Sequence, residues 1–498
     1  MALPAGLAAF SGSGSSTLNG DELATISAAG RSLAGMFELA RHIDGHFLPY
    51  YLFMHFWAKA GTAELWLRLP SAVAIGVAAW FLVELGRRLH GTRAGVIAAG
   101  VFAILPSVSY YGAFTRSYAF AAAAVVFSFW ALHRALESGG RPDVRRWVVY
   151  GMAVALVCST HLFAVLVLPA QVLLMRRAVA VRMVVAMAVG CVPAAVLGLI
   201  GYGERHAISW IPERGPEVWL KFPKMAAGAG TLGVVLFVMA LVGAAVLFGR
   251  TPRAGTVQGG KSLRAGAGPD GAAVPPSAGD ERSGGVWAFV LVGWLVLPPV
   301  LLLVVSWAVT PVYVDRYLFV TAPALALLAG VAVAALPRFH VVAGVVVVAL
   351  GCALAFPDHV DVREENGRFE NIPWALRVIK AEPEDAIVYG QSQLRTGFDY
   401  YADSLMPVDV LRAGDEPEPD GFGYPERSDV SAVLRERERV WVVWRGTKQS
   451  GLEEDAVPRV EEVERAGFEL SLAKHSGDLP GLTVALFERG DGDGVRTG

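Results

Sequence analysis

Repeated apolar runs, several of about 18–25 residues, constrain this chain more than any single motif does. A helix of about 20 apolar residues matches the hydrocarbon thickness of a bilayer, where every backbone N–H and C=O needs an internal partner. Spans are therefore expected at 65–85, 94–110, 118–136, 147–159, 162–175, 183–201, 225–248, 286–309, 318–336 and 341–356. With 54% hydrophobic and 18% charged residues among 498, the chain is too apolar for an ordinary soluble protein.

Orientation follows from the arginines. Arg145 and Arg146 precede the 147–175 block and Arg176 and Arg177 follow it. The positive-inside rule puts both ends in the cytoplasm, so two short helices should turn near Thr160 and His161. Arg87, Arg88 and residues 134–146, 176–182 and 250–282 then lie inside. The loops with Asp21, His46, Arg116, 204–224 and Arg316 lie outside, as does the C-terminal region. A single crossing at 147–175 would invert everything after it.

Charge is divided along the chain. Residues 358–498 hold 30 of the 45 acids and 17 of the 43 bases, leaving 15 acids and 26 bases before them. The bases are scattered over loops and form no stripe that could follow a phosphate backbone, which argues against nucleic acid as a partner. Cys158, Cys191 and Cys352 all lie in apolar runs, an odd number without metal-type spacing. Buried filler is their expected role.

Residues 2–10 are apolar but too short to cross a bilayer and lack the basic start of a signal peptide. Either this is a short interfacial helix or the first span is truncated and the natural start lies upstream; the second is preferred. Residues 23–40 have the spacing of an amphipathic surface helix, and 47–60, with Tyr50, Tyr51 and Trp57, an interfacial one. The Gly-, Ala-, Pro- and Ser-rich stretch 249–285 is expected to be a disordered cytoplasmic linker. The tail mixes strand-like pieces (386–389, 440–444, 482–487) with helix-like ones (373–380, 429–437). The expected fold is thus an α-helical polytopic membrane protein with about 10–11 spans and a small soluble α/β domain. Its divisions are an outward segment 1–64, membrane core 65–248, linker 249–285, membrane core 286–357 and extracytoplasmic domain 358–498.

Polar groups recur on one side of the spans: Asp21 and Glu22, then Asp44, His46, Tyr50 and Tyr51, then Arg116 and Tyr118, then Arg316 and Tyr317. A carboxylate can take the proton of an attacking hydroxyl, and a second can tune it by like-charge coupling. The plainer reading of Asp21 and Glu22 is a solvated helix start capped by Asn19 or Asp21. Asp44, His46 and the tyrosines read equally well as cavity contacts or as an interfacial aromatic belt with a satisfied histidine. Arg116 and Arg316 suit a lipid phosphate, against the alternative of snorkelling to headgroups. His161, Glu84 and Arg182 read as structural or surface residues.

Taken in order, these positions resemble the dolichyl-phosphate-mannose–protein mannosyltransferases (glycosyltransferase family 39) and the related lipid A aminoarabinose transferases, which share the GT-C fold. The family's outward acidic pair is matched by Asp21 and Glu22, and its Asp-x-His-Pro-Pro-Leu-Tyr-Tyr by Asp44, His46, Tyr50 and Tyr51. Its Arg-Leu-Pro-Ser is matched by Arg68 to Ser71 and its Gly-Arg-Arg-Leu by Gly86 to Leu89. Its Tyr-Ser-Gln-Glu-Ala-Arg-x-Tyr is matched by Tyr111, Arg116 and Tyr118, and its Arg-Tyr-Leu by Arg316 to Leu318, with Pro323 following. Residues 20–180 follow the pattern well and 310–400 loosely. The departures are Phe47-Leu48-Pro49 for Pro-Pro-Leu, and Ala113-Phe114 where the family has Gln-Glu.

The resemblance implies an inverting transfer of mannose or a similar hexose from a polyprenyl-phosphate donor to an extracytoplasmic protein, glycan or lipid acceptor. Asp21 would be the base and Glu22 its partner. Asp44, His46, Tyr50, Tyr51, Tyr118 and Tyr317 would line the site, and Arg116 and Arg316 would hold the lipid phosphate. No metal ligands and no cofactor are assigned, with a divalent cation left open. The other readings are a lipid-linked sugar flippase, which would carry ionisable groups or Gly/Pro breaks deep in its spans, and an inactive membrane scaffold.

Overall fold

Small residues set how closely the spans approach one another. In the computed structural model, a Cβ on Gly86 would meet the Gly95 Cα at 2.5 Å, and one on Gly243 would meet the Leu328 carbonyl oxygen at 2.0 Å. Helices in lipid associate by such close packing, because the hydrocarbon around them is as apolar as their own side chains. The structure describes residues 1–137, 143–209, 211–249, 281–336, 339–365, 370–402, 405–446, 457–477 and 480–490. Most of the expected linker at 249–285 lies outside the described residues.

Among the described residues six helices are long and apolar enough to cross a membrane: Glu64–His90, Tyr118–Leu136, Gly230–Gly249, Gly285–Ala308, Asp315–Ala334 and His340–Arg363. Two bent pairs bring the number to eight if each is one span. Thr92–Ala103 meets Pro106–Gly112 at 69°, and Ala180–Gly190 meets Val192–Gly203 at 40°. The ten expected runs thus reduce to six helices that pass singly, with the remainder bent or short. The reason is local. Pro106 and Pro193 lack the N–H that would continue the preceding helix. The 147–175 block breaks at His161, between the helix Val144–Thr160 and the short turns Leu162–Val167 and Leu168–Val172. A buried chain of hydrogen bonds fastens it: Tyr150 donates to Gln171 Oε1 at 2.7 Å, and Gln171 Nε2 donates to Ser128 Oγ at 2.8 Å.

Large apolar side chains such as Val73, Val77, Trp80, Val341, Val345 and Leu350 point outward. Water would penalise so large an apolar surface, whereas lipid matches it. The stretch 23–40 is not one helix. It breaks into Gly20–Gly30 and Leu33–Leu39, because the Ser32 side chain accepts from the Gly35 N–H and starts a new helix. Residues 48–57 form the expected aromatic helix, and Ala2–Phe10 packs on Glu64–His90 with Ala5 and Ala9 buried.

Among the described residues the C-terminal region is built on a five-stranded sheet. Its strands are β1 (Ala386–Tyr389), β2 (Val408–Asp409), β3 (Arg439–Arg445), β4 (Phe468–His475) and β5 (Leu482–Arg489), in the order β2-β1-β3-β5-β4. β2, β1 and β3 run parallel, while β5 is antiparallel to both β3 and β4. Alternating side chains feed two cores. Val388, Val440 and Val442 meet Val430, Leu434 and Val463 on one face. Ile387, Trp441 and Val443 meet Ile372, Phe398, Leu18 and Leu23 on the other. The N-terminal segment is therefore part of the sheet's own core, which draws residues 17–23 between the membrane helices and the α/β domain.

Candidate active site

Asn19 caps Gly20–Gly30 in a reciprocal box. Its side chain accepts from the Glu22 N–H, and Glu22 accepts from the Asn19 N–H. Glu22 is wholly buried. Arg68 meets it with two parallel bonds of 2.9 Å, from Nε and Nη2. The remaining Arg68 donors go to the carbonyls of Ser13, Ser16 and Thr17, and the Thr115 N–H also donates to Glu22, at 2.9 Å. A buried ion pair holds when geometry and further hydrogen bonds satisfy both charges, as they do here. Successive helical residues are rotated by about 100°. Glu22 thus turns into the protein while Asp21 turns into a cavity.

That cavity has a volume of about 1020 Å³ and is walled by Asp21, Asp44, His46, Arg116, Tyr118, Arg316 and Tyr317 together with residues of the α/β domain. Asp21 lies between two guanidinium groups: Oδ1 is 3.6 Å from Arg116 Nη2, and Oδ2 is 3.6 Å from Arg316 Nη1. Arg116 also reaches Asp44 Oδ2 at 3.0 Å and the Tyr51 hydroxyl, which itself donates to Asp44 at 2.7 Å. The Phe47 ring lies 4.4 Å under the Arg116 guanidinium. Phe47, where the family carries proline, thus supports the Arg116 guanidinium by a cation–π contact.

Burial works to raise the Asp44 carboxyl, but Arg116, His46 and the Tyr51 hydroxyl outweigh it and hold the group below the usual carboxylate range. Burial, with the charges of Arg116 and Arg316, lowers the His46 imidazole to about 4 against the pull of Asp44. His46 is therefore neutral near pH 7 and adds no cationic contact for a phosphate. Its Nε2 is buried without a hydrogen-bond partner among the described residues.

Three expected site residues need correction. Glu22 is a structural anchor and not a partner of Asp21 in the cavity, because Arg68 and two backbone N–H groups engage its carboxylate. Tyr50 packs beneath the cavity, edge-on to Phe120 at 5.6 Å. Tyr51 also lies behind the wall and acts on it through Arg116 and Asp44. Asp21, Asp44, His46, Arg116, Tyr118, Arg316 and Tyr317 do converge.

Several wall residues were missed in the sequence: Glu204, Arg214, Asp315, Glu370 and Arg445. Glu204, at the end of an apolar run, and Asp315, beside Arg316, carried a positional signal. Glu370 and Arg445 carried none. His161, read as structural, lies under the cavity with ring centroids 5.4 Å from Tyr118 and 4.8 Å from Tyr317. Phe114 lines the wall in place of the family's glutamate.

Among the described residues no group of three or more His, Cys, Asp or Glu is placed to hold a metal ion. The carboxylates of Asp21 and Asp44 are answered by arginines, so the donor set does not fit a divalent cation.

The family model described as dolichyl-phosphate-mannose-protein mannosyltransferase matches residues 47–201. A comparison with curated proteins finds no match. Among solved structures, ArnT from Cupriavidus metallidurans in the apo state is similar over 96% of this chain and 96% of that one, with TM-score 0.56 and 13% identity. The same protein bound to undecaprenyl phosphate gives TM-score 0.55 and 14% identity over 97% and 96%. The archaeal oligosaccharyltransferase AglB from Archaeoglobus fulgidus, in complex with an inhibitory peptide and a dolichol-phosphate, gives TM-score 0.44 and 12% identity over 88% and 66%. This protein therefore has the GT-C fold of membrane glycosyltransferases, and its residues 47–201 are similar to the dolichyl-phosphate-mannose–protein mannosyltransferase family.

Proposed function

We propose that this protein is a multi-pass membrane glycosyltransferase that takes a sugar from a polyprenyl-phosphate carrier. The carrying observation is Asp21, held between Arg116 and Arg316 on the wall of the cavity. The acceptor hydroxyl attacks the anomeric carbon as the bond to the phosphate oxygen breaks on the opposite face, which inverts the configuration. Asp21 takes the hydroxyl proton, and the leaving phosphate keeps the electron pair. Arg116 and Arg316 bind that phosphate and stabilise its growing charge. The donor's phosphate competes with Asp21 for the same guanidinium groups, so donor binding loosens their hold on the base.

The undecaprenyl phosphate bound to ArnT supports a polyprenyl carrier, and the family match supports mannose or a similar hexose. The distribution of arginines supports a cavity and α/β domain on the extracytoplasmic side of the cell membrane.

Purified protein in vesicles with a labelled polyprenyl-phosphate sugar tests the reading. Label should pass to a hydroxyl acceptor, and Asp21→Asn should lower transfer by about a hundred- to ten-thousandfold with the folded protein still in the membrane. Undiminished transfer by the variant sinks the assignment. Label that only changes leaflet makes the protein a flippase.

A further inference from the structure

The cavity has two chemically different walls. The membrane half contributes Asp21, Arg116, Arg316 and the tyrosines, and the α/β domain contributes Glu370, Gln391, Gln393, Thr396, Phe422 and Arg445. On the second wall the charges cancel locally, with Glu370 Oε1 3.3 Å from Arg445 Nε. Gln391 Oε1 accepts the Arg445 backbone N–H at 3.0 Å, which fixes the amide. Thr396 is only 8% exposed, yet its Oγ1 has no hydrogen-bond partner among the described residues and the residue lines the cavity. A buried hydroxyl left without a partner is unfavourable. The oxygen is sealed as it stands, and a rotation of the side chain toward the cavity would let a ligand hydroxyl pair with it.

Volume also bears on the assignment. About 1020 Å³ stands at the top of the range for drug-sized ligands, roughly 300–1,000 Å³, and leaves space for two reacting groups.

We infer that the wall built by the α/β domain is the acceptor subsite, and that the acceptor is an uncharged, hydroxyl-bearing sugar unit of a glycan. The inference rests on the transferase reading above. Side-chain amides, a hydroxyl and a fixed carboxylate–guanidinium pair supply mixed donors and acceptors that match sugar hydroxyls. Phe422 offers an apolar surface for the C–H face of a pyranose ring. An anionic acceptor would require an excess of cations, whereas Arg445, this wall's cation, is paired with Glu370. In the reaction the bound sugar's O–H forms the new C–O bond, its proton passes to Asp21, and the polyprenyl phosphate departs.

The test uses the full-length protein in nanodiscs with radiolabelled polyprenyl-phosphate mannose. Tagged trisaccharides of mannose, glucose or galactose are offered in one arm and a tagged Ser/Thr-rich peptide in the other. Label should pass to a trisaccharide. Thr396→Val and Gln393→Leu should each raise its KM about five- to tenfold, as expected for one lost neutral hydrogen bond. Their affinity for undecaprenyl phosphate should stay within about twofold of wild type. Label passing only to the peptide, or an unchanged KM in both variants, overturns the acceptor subsite and leaves the transferase reading standing. Wild-type protein that neither binds undecaprenyl phosphate nor releases labelled sugar overturns both.

Discussion

Asp21 and Glu22 are chain neighbours with opposite roles. About 100° of helix rotation separates a carboxylate facing the cavity from one wholly buried against Arg68. Of the plainer reading the cap holds, supplied by Asn19, while Glu22 is buried instead of solvated, and the reactive role of Asp21 is the proposal above. Removing either half of the buried pair strands the other charge, at a cost of about 3–5 kcal/mol. Glu22→Ala and Arg68→Ala should therefore lower the temperature at which the detergent-solubilised protein survives, followed by size-exclusion chromatography after heating. Asp21→Asn should leave that temperature near wild type. Equal heat resistance of all three variants would return Glu22 to the role of a catalytic partner. The sequence could not separate the two acids, because the partner that divides them, Arg68, is distant along the chain, and its Arg-Leu-Pro-Ser motif does not name the carboxylate it meets.

At the scale of elements, the bends shape the cavity as much as the spans do. Val192–Gly203 ends at Glu204, and both of that residue's carboxylate oxygens accept from the Gly45 N–H, at 3.1 and 3.0 Å. A Cβ at Gly45 would meet the Ala40 carbonyl at 2.2 Å and Glu204 Oε1 at 2.5 Å, so the latch requires glycine. The latch holds the loop that carries Asp44 and His46. Burial pushes the Glu204 carboxyl up to about 7, the Gly45 N–H opposes this, and the Asp44 charge adds to it. The fold favours the neutral form. Its contribution is therefore complete below the ordinary value of 4.5 and is lost as pH rises through about 7. His46 has the opposite sense: its folded value near 4 lies below 6.5, so stability is lost as pH falls through that window. Between about pH 6.5 and pH 8 the Glu204 effect stands apart from that of His46. Across that interval the wild-type melting midpoint should fall relative to Glu204→Gln, and parallel curves would refute the latch. The runs themselves were legible from hydropathy, but the 69° and 40° bends were not, because proline position marks a break and leaves its angle to packing.

The whole molecule is joined along a seam between the membrane helices and the α/β domain. The Leu18 N–H donates to the Tyr401 hydroxyl at 2.8 Å, and that hydroxyl donates to Glu64. Thr17 Oγ1 donates to the Glu370 carbonyl at 3.1 Å, the Gly20 N–H to the Glu370 carboxylate, and Tyr400 to the Thr62 carbonyl at 2.6 Å. The domain thus grips the segment that ends in Asp21. Tyr401→Phe removes the seam's bridging hydroxyl, each lost bond being worth about 1 kcal/mol. Hydrogen–deuterium exchange of residues 17–22 should quicken while β3 and β5 stay protected. Unchanged exchange at 17–22 would mean that the seam does not hold the loop.

Sequence by itself determined the membrane-embedded character, the α/β nature of the tail and the set of charged residues that meet at Asp21. Hydropathy, strand alternation and the order of motifs are written locally along the chain. The tertiary structure decided which acid faces the cavity, that Arg68 is an internal anchor, and that Glu370, Thr396 and Arg445 complete a wall. Those outcomes depend on pairings between residues separated by dozens to hundreds of positions. Burial and charge compensation are settled only when the helices and the sheet close upon one another.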